Sequence, residues 1–123
     1  MKNYLRFPRN HRLITKAEFK YVFDKASKIN QKHFLILFRP NQKQHARIGI
    51  IVGKRFVNSA VTRNQIRRVI RDSFRLNQKN LSGWDIVVIT RLQCDTLSKE
   101  KIREGINSLW KKLLMQHPNF SLS

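Results

Sequence analysis

The segment from residue 63 to residue 75 constrains this chain most, because it separates cationic and apolar side chains around one predicted helix. At about 100° per residue, its arginines share one side of the helix with an asparagine, and its apolar residues share another. The cationic side holds Arg63, Asn64, Arg67, Arg68, Arg71 and Arg75, and the apolar side holds Ile66, Val69, Ile70 and Phe74. Such a helix can dock on a core and present guanidinium groups to a polyanion. The arginines repel each other and disfavour the isolated helix, and a polyanion would relieve that repulsion.

The charge balance of the whole chain indicates the same kind of partner. Lys and Arg number 26 against 7 Asp and Glu, which gives a formal net charge of +19 over 123 residues. Such an excess favours nucleic acid or an anionic membrane surface as the partner. Hydrophobic residues make up 41% of the chain, enough for one packed core. We therefore expect a single domain over residues 1–123, with a basic arm at 1–12 and a flexible tail at 116–123.

The sequence carries no strong signal for export or membrane insertion. Basic residues near the N-terminus are not followed by the apolar run of a signal peptide. No stretch approaches the ~20 apolar residues of a membrane span. The single cysteine, Cys94, cannot form an internal disulfide, which fits a reducing compartment. A cytoplasmic protein is the simplest interpretation.

Periodicity predicts the element order α-β-β-β-α-β-α. Helices are predicted at 16–26, 60–76 and 98–115, long strands at 33–39, 46–52 and 85–90, and a short strand near 28–30. Thr15 and Glu18 have the spacing of a capping box before the first helix. We expect the strands at 33–39 and 46–52 to form a hairpin, and the continuously apolar strand at 85–90 to be central. The fold class is an α/β (α+β) two-layer sandwich, one sheet with helices packed against it.

Catalysis by the protein itself finds little support in the sequence. The acidic residues are scattered, and the four histidines show no metal-ligand spacing with one another or with Cys94. The four glycines are dispersed, so no phosphate-binding loop is present. We expect no catalytic residue and no metal site in the protein.

The aromatic residues have two interpretations. Phe19 and Phe23 have the spacing of a core pair on an amphipathic helix, but aromatic rings can also stack on unpaired bases. Strand alternation puts Phe34, Ile36 and Phe38 on one face of a strand and Leu35 and Leu37 on the other. One face must pack on helices, and the other could line a cleft.

An ordered set of motifs resembles the protein component of bacterial ribonuclease P. The set is HRLITKAEFKYVF (11–23), VGKR (52–55), AVTRN (60–64), RNQIRRVIR (63–71) and GWDIVVITR (83–91). RNQIRRVIR is similar to the RNR signature of the family, although Gln65 stands where the family usually has arginine. Leu37 stands where some relatives have an aromatic residue. The arginine motif alone is moderately specific, and the ordered set is highly specific.

The resemblance implies a function and a site. The family's protein is the small subunit of a ribonucleoprotein whose RNA subunit, with Mg²⁺, cuts the 5′ leader from precursor tRNA. The implied partners are therefore ribonuclease P RNA and precursor tRNA, with neither DNA nor a membrane. By position, the residues that bind the RNA subunit would be Lys54, Arg55, Arg63, Asn64, Arg67, Arg68 and Arg71. A leader-binding cleft between the first helix and the sheet would include Phe19, Phe23 and Phe34. The resemblance also implies a left-handed βαβ crossover, as in the ribosomal protein S5 domain 2-like fold, where a right-handed one is usual.

Three other classes stay open on the residues alone. A ribosomal or other structural RNA-binding protein would share the size and charge. A DNA-binding regulator would use the arginine helix in a major groove, but no second helix precedes that helix through a short turn. A stand-alone nuclease would need a carboxylate cluster, which the sequence does not supply.

Overall fold

The computed structural model describes residues 11–13, 15–91 and 94–116. The elements are helix α1 (Lys16–Asp24), strands β1 (Ser27–Asn30), β2 (Phe34–Pro40) and β3 (Arg47–Ile51), helix α2 (Ala60–Asn77), strand β4 (Trp84–Thr90) and helix α3 (Lys99–Gln116). The predicted element order, including the short β1, is confirmed. Of the predicted arm and tail, only residues 11, 12 and 116 are described, and the rest lies outside the described residues.

The four strands form one mixed sheet in the order β1-β2-β4-β3. β4 pairs antiparallel with β2 and parallel with β3, and β2 pairs antiparallel with β1. The predicted hairpin between β2 and β3 is therefore wrong, because β4 lies between them. β4 is buried along almost its whole length, and a central position supplies partners on both its edges. The unit β3-α2-β4 is the parallel unit for which the resemblance implies a left-handed crossover, and that hand stays a prediction.

The larger core lies between one face of the sheet and the helices α2 and α3. Phe34, Ile36 and Phe38 of β2 point into it, together with Ile86 and Val88 of β4. From the helices come Ile66, Ile70, Phe74, Ile106, Leu109, Trp110 and Leu113. Each large apolar side chain buried here stabilises the fold by about 1.5–3 kcal/mol. This burial fixes α2 on the sheet by its apolar side, so its arginines face outward.

A short polar network joins α2 to α3 inside this core. The indole Nε1 of Trp110 donates to the hydroxyl oxygen of Ser73 at 2.9 Å. The same Ser73 hydroxyl donates to Oδ1 of Asn107 at 2.6 Å. Because each polar group in this network has a partner, its hydrogen bonds offset the cost of desolvation while they fix the register of the two helices.

Helix α1 packs on the opposite face of the sheet, over a smaller cluster. Val22 of α1 and Val87 of β4 are completely buried there, with Leu13 beside them. The helix begins with the predicted capping box, in which the Glu18 amide donates to Thr15 Oγ1 at 3.1 Å and the Thr15 amide donates to Glu18 Oε1 at 2.9 Å. At nine residues, α1 covers only part of this face, which leaves a groove beside it.

Candidate nucleic-acid interface

The outward side of α2 forms a cationic surface, which we call the arginine surface. It is a concavity of about 550 Å³ lined by Asn64, Arg67, Arg68, Arg71, Asp72 and Arg75. The buried stripe of α2 holds it in place, and Ser59 begins the helix by accepting from the Thr62 amide at 3.3 Å. The structure thus brings together four of the residues predicted to bind RNA: Asn64, Arg67, Arg68 and Arg71.

The charges on the arginine surface are poorly neutralised. Four arginines and one aspartate line it, which leaves three positive charges. Arg75 lies 3.5 Å from Asp72, but both side chains are well exposed, and such a pair contributes at most about 1 kcal/mol. Partial burial lowers the pKa of Arg71, and the neighbouring charges of Arg12 and Arg67 lower it further. This repulsion is the kind that a bound polyanion relieves.

The predicted residues at the start of α2 occupy a separate position. Arg63 donates from Nη1 to the carbonyl oxygens of Val57 and Asn58, at 3.0 and 2.8 Å, and so holds the loop that precedes α2. Lys54 and Arg55 are exposed on that loop. None of these three cations lines the concavity of the arginine surface.

A second candidate surface, which we call the α1 groove, lies beside the first helix. It has a volume of about 490 Å³ and is lined by Lys16, Phe19, Lys20, Phe23 and Ile51. The rings of Phe19 and Phe23 have centroids 6.4 Å apart, and Phe23 is 46% exposed. The exposed ring of Phe23 and the half-buried ring of Phe19, beside two lysines, offer stacking to bases and charge to phosphates. Two of the three residues predicted for the leader cleft are therefore placed together.

The third residue predicted for the cleft, Phe34, is not in this groove. Its side chain is completely buried and belongs to the core cluster beneath α2 and α3. Leu37, three positions along the same strand, instead packs with the cluster beneath α1. The prediction for Phe34 is wrong because successive residues of a strand point to opposite faces, and Phe34 points away from α1.

A network of charged side chains fixes the first turn of α1 to the sheet. Arg47 of β3 donates from Nε to Asp85 Oδ1 at 2.8 Å and from Nη1 to Glu18 Oε2 at 2.9 Å. Asp85 is completely buried and also accepts from Asn41 Nδ2 at 2.8 Å. Hydrogen bonding to Asp85 raises the pKa of Arg47, against the opposing effect of burial. Sequence reasoning missed this network, although one carboxylate at the start of an apolar strand was a usable signal.

The far end of α1 is held by a second contact. The guanidinium of Arg39 lies 3.7 Å from the centroid of the Tyr21 ring. The Tyr21 hydroxyl donates to the Pro40 carbonyl oxygen at 2.9 Å. Cation–π contacts of this kind contribute about 0.5–1 kcal/mol at exposed sites. With both ends of α1 anchored, the position of the α1 groove on the sheet is defined before any ligand binds.

Nucleophilic or metal chemistry has no visible site in the described part of the chain. Cys94 is completely buried, and burial, with a smaller effect from Asp95, raises the pKa of its thiol to about 12. Among the described residues, no three His, Cys, Asp or Glu lie together in a way that could hold a metal ion. None of the helices in these residues has the length and apolar character needed to cross a bilayer.

Sequence comparison matches residues 7–114 to the family model described as Ribonuclease P. The ribonuclease P protein component of Azotobacter vinelandii is 43% identical over 113 residues, which cover 91% of this chain and 87% of the relative. The protein component of Ectopseudomonas mendocina is 46% identical over 114 residues, covering 92% and 85% of the two chains.

Solved structures agree with the sequence comparison. The ribonuclease P protein of Staphylococcus aureus superposes with a TM-score of 0.78 at 27% identity, covering 84% of this chain and 94% of that one. The protein from Thermotoga maritima gives a TM-score of 0.73 at 31% identity, covering 82% and 96% of the two chains. Both the fold and the sequence are therefore similar to those of the same group of proteins.

Proposed function

Because this chain belongs to the ribonuclease P protein family, we propose that its arginine surface binds the RNA subunit of the enzyme and its α1 groove holds the 5′ leader of precursor tRNA. The chain is a protein subunit of ribonuclease P and acts in the processing of tRNA 5′ ends. One observation supports the assignment of a different RNA ligand to each surface. The two surfaces lie on α2 and α1, which pack on opposite faces of one sheet.

The proposal assigns the chemistry to the RNA subunit. Two acidic side chains of the protein are paired with arginines: Asp85 forms a salt bridge with Arg47, and Asp72 forms one with Arg75. As the family resemblance implies, we assign Mg²⁺ to the RNA subunit and no catalytic residue to the protein. The site of action would be the bacterial cytoplasm, where precursor tRNA is processed.

The protein's role in this scheme is to neutralise phosphates and to position the substrate. Four arginines on one surface can release the counterions of the RNA subunit and join two polyanions that otherwise repel. The α1 groove then touches a segment that precursor tRNA has and mature tRNA lacks. Only such a difference in contacts can favour substrate over product.

A reconstitution assay tests the proposal. Cleavage of precursor tRNA is measured with the protein alone, the RNA subunit alone and both together, with Mg²⁺ present throughout. We expect no cleavage by the protein alone, and a gain in affinity for precursor tRNA that exceeds the gain for mature tRNA. Cleavage by the protein alone would contradict the assignment of chemistry to RNA. Equal gains for both tRNAs would contradict the leader groove.

A further inference from the structure

A pocket lies at the β3 edge of the sheet, between the two proposed RNA surfaces. Its volume is about 240 Å³, and Arg12 and Arg71 are its charged lining residues. Phe19 lines both this pocket and the α1 groove, and Arg71 lines both this pocket and the arginine surface. The pocket therefore joins the two surfaces around the edge of the sheet.

The main chain places both arginines firmly. Arg12 forms a parallel bridge with Ile48 on the outer edge of β3, and the Leu13 amide donates to the Ile48 carbonyl oxygen at 2.9 Å. Arg71 extends from α2, and the preceding residue of that helix, Ile70, is completely buried. The two guanidinium groups are near enough for Arg12 to depress the pKa of Arg71. Two cations are thus held against their mutual repulsion.

The floor of the pocket is apolar and shaped by a glycine. The other lining side chains include Leu13, Phe19 and Ile48, and among the described residues that line the pocket none is acidic. A Cβ on Gly49 would lie 2.5 Å from the Phe19 ring. The absence of that carbon lets the ring lie directly on the strand, where it lines both this pocket and the α1 groove.

We propose that this Arg12–Arg71 pocket binds one nucleotide of RNA, with its phosphate between the two guanidinium groups and its base or ribose on the apolar floor. Guanidinium groups recognise phosphate oxygens in a bidentate manner, and an apolar floor accepts a base that is not paired. The inference rests on the proposed function, because it takes RNA as the partner. It adds a contact by Arg12 that the proposed function does not need. The nucleotide comes from either the leader or the RNA subunit.

The test compares Arg12→Gln, Arg71→Gln and the double variant with Arg103→Gln. Arg103 is exposed on α3, so its replacement removes the same charge from a remote surface. Affinity is measured over a series of salt concentrations for the RNA subunit and, in the assembled holoenzyme, for precursor and mature tRNA. Arg12→Gln should weaken one of these interactions roughly three- to tenfold more than Arg103→Gln does. The slope of log affinity against log salt should fall by about 0.7–0.9.

The outcomes identify the source of the nucleotide. A loss confined to the RNA subunit assigns the nucleotide to that subunit, and a loss for precursor but not mature tRNA assigns it to the leader. The fold-loss of RNA affinity in the double variant should be smaller than the product of the two single fold-losses, because both arginines would bind the same phosphate. If Arg12→Gln matches Arg103→Gln in every measurement, the pocket is not a nucleotide site.

Two further measurements keep the result unambiguous. Arg12→Lys retains the charge but not the bidentate geometry, so we expect it to bind less well than the wild type and better than Arg12→Gln. The thermal stability of each variant shows whether the fold is retained. The proposed function is judged separately, by whether the wild-type holoenzyme prefers precursor over mature tRNA, which does not depend on Arg12.

Discussion

At the scale of single residues, two phenylalanines that look alike in the sequence have opposite roles. Phe23 is 46% exposed beside the α1 groove, and Phe34 is completely buried under α2 and α3. We expect Phe34→Ala to lower the free energy of unfolding by about 3–5 kcal/mol, because a large core cavity remains. Phe23→Ala should change it by less than about 1 kcal/mol and weaken the binding of precursor tRNA but not of mature tRNA. Urea denaturation and tRNA titration of both variants provide the measurements.

Each phenylalanine variant is the control for the other. If Phe23→Ala destabilises the protein as much as Phe34→Ala does, Phe23 belongs to the core. If Phe23→Ala is stable but binds precursor tRNA normally, the α1 groove is not the leader site. Folded Phe34→Ala should still bind the leader at temperatures well below its midpoint, because its ring faces the other side of the sheet.

At the scale of elements, the shape of the groove depends on one glycine in β3. A Cβ at Gly49 would lie 2.5 Å from the Phe19 ring, whereas a Cβ at Gly53 meets nothing within 4 Å. Gly49→Ala should therefore displace Phe19, cost about 1–3 kcal/mol of stability and reduce the preference for precursor tRNA. Gly53→Ala is the matched control, with stability unchanged or slightly raised. Equal behaviour of the two variants would show that the ring moves aside without consequence.

The elements also show which parts of the fold sequence reasoning can reach. Helix α2 was predictable because its apolar and cationic residues repeat at helical spacing, so a local pattern carries the whole assignment. The pairing of β3 with β4 could not be predicted, because β4 lies beyond an intervening helix and local spacing carries no information about distant pairing. Adjacency in sequence therefore favoured the wrong hairpin.

The same contrast between local patterns and distant contacts explains which residues of the candidate site could be predicted. The residues of the arginine surface lie on one helix, so its periodicity placed four of them together. Phe34 was misplaced because both faces of β2 carry apolar residues, and only the tertiary structure decides which face meets α1. Arg12 was not among the predicted site residues, because the role proposed for it depends on its bridge to β3, a contact between distant segments.

At the scale of the whole molecule, the sheet separates two binding surfaces. Substitutions in each surface should impair the enzyme in a different way. The arginine surface and the α1 groove are attached to opposite faces of one sheet, so changes in one surface should not reshape the other. Arg67→Ala with Arg68→Ala should weaken the binding of the RNA subunit and reduce its salt dependence. Raising the protein concentration should restore cleavage, because the assembled enzyme would still hold the leader.

The groove variant should behave differently in the same assay. Phe23→Ala should leave assembly intact, so saturating protein should not restore the affinity for precursor tRNA. Combining the three substitutions should give the product of the separate effects, since sites without shared partners act additively. Rates of precursor tRNA cleavage over a matrix of protein and substrate concentrations separate the two defects. If excess protein restores the affinity of the Phe23→Ala enzyme for precursor tRNA, Phe23 contacts the RNA subunit instead of the leader.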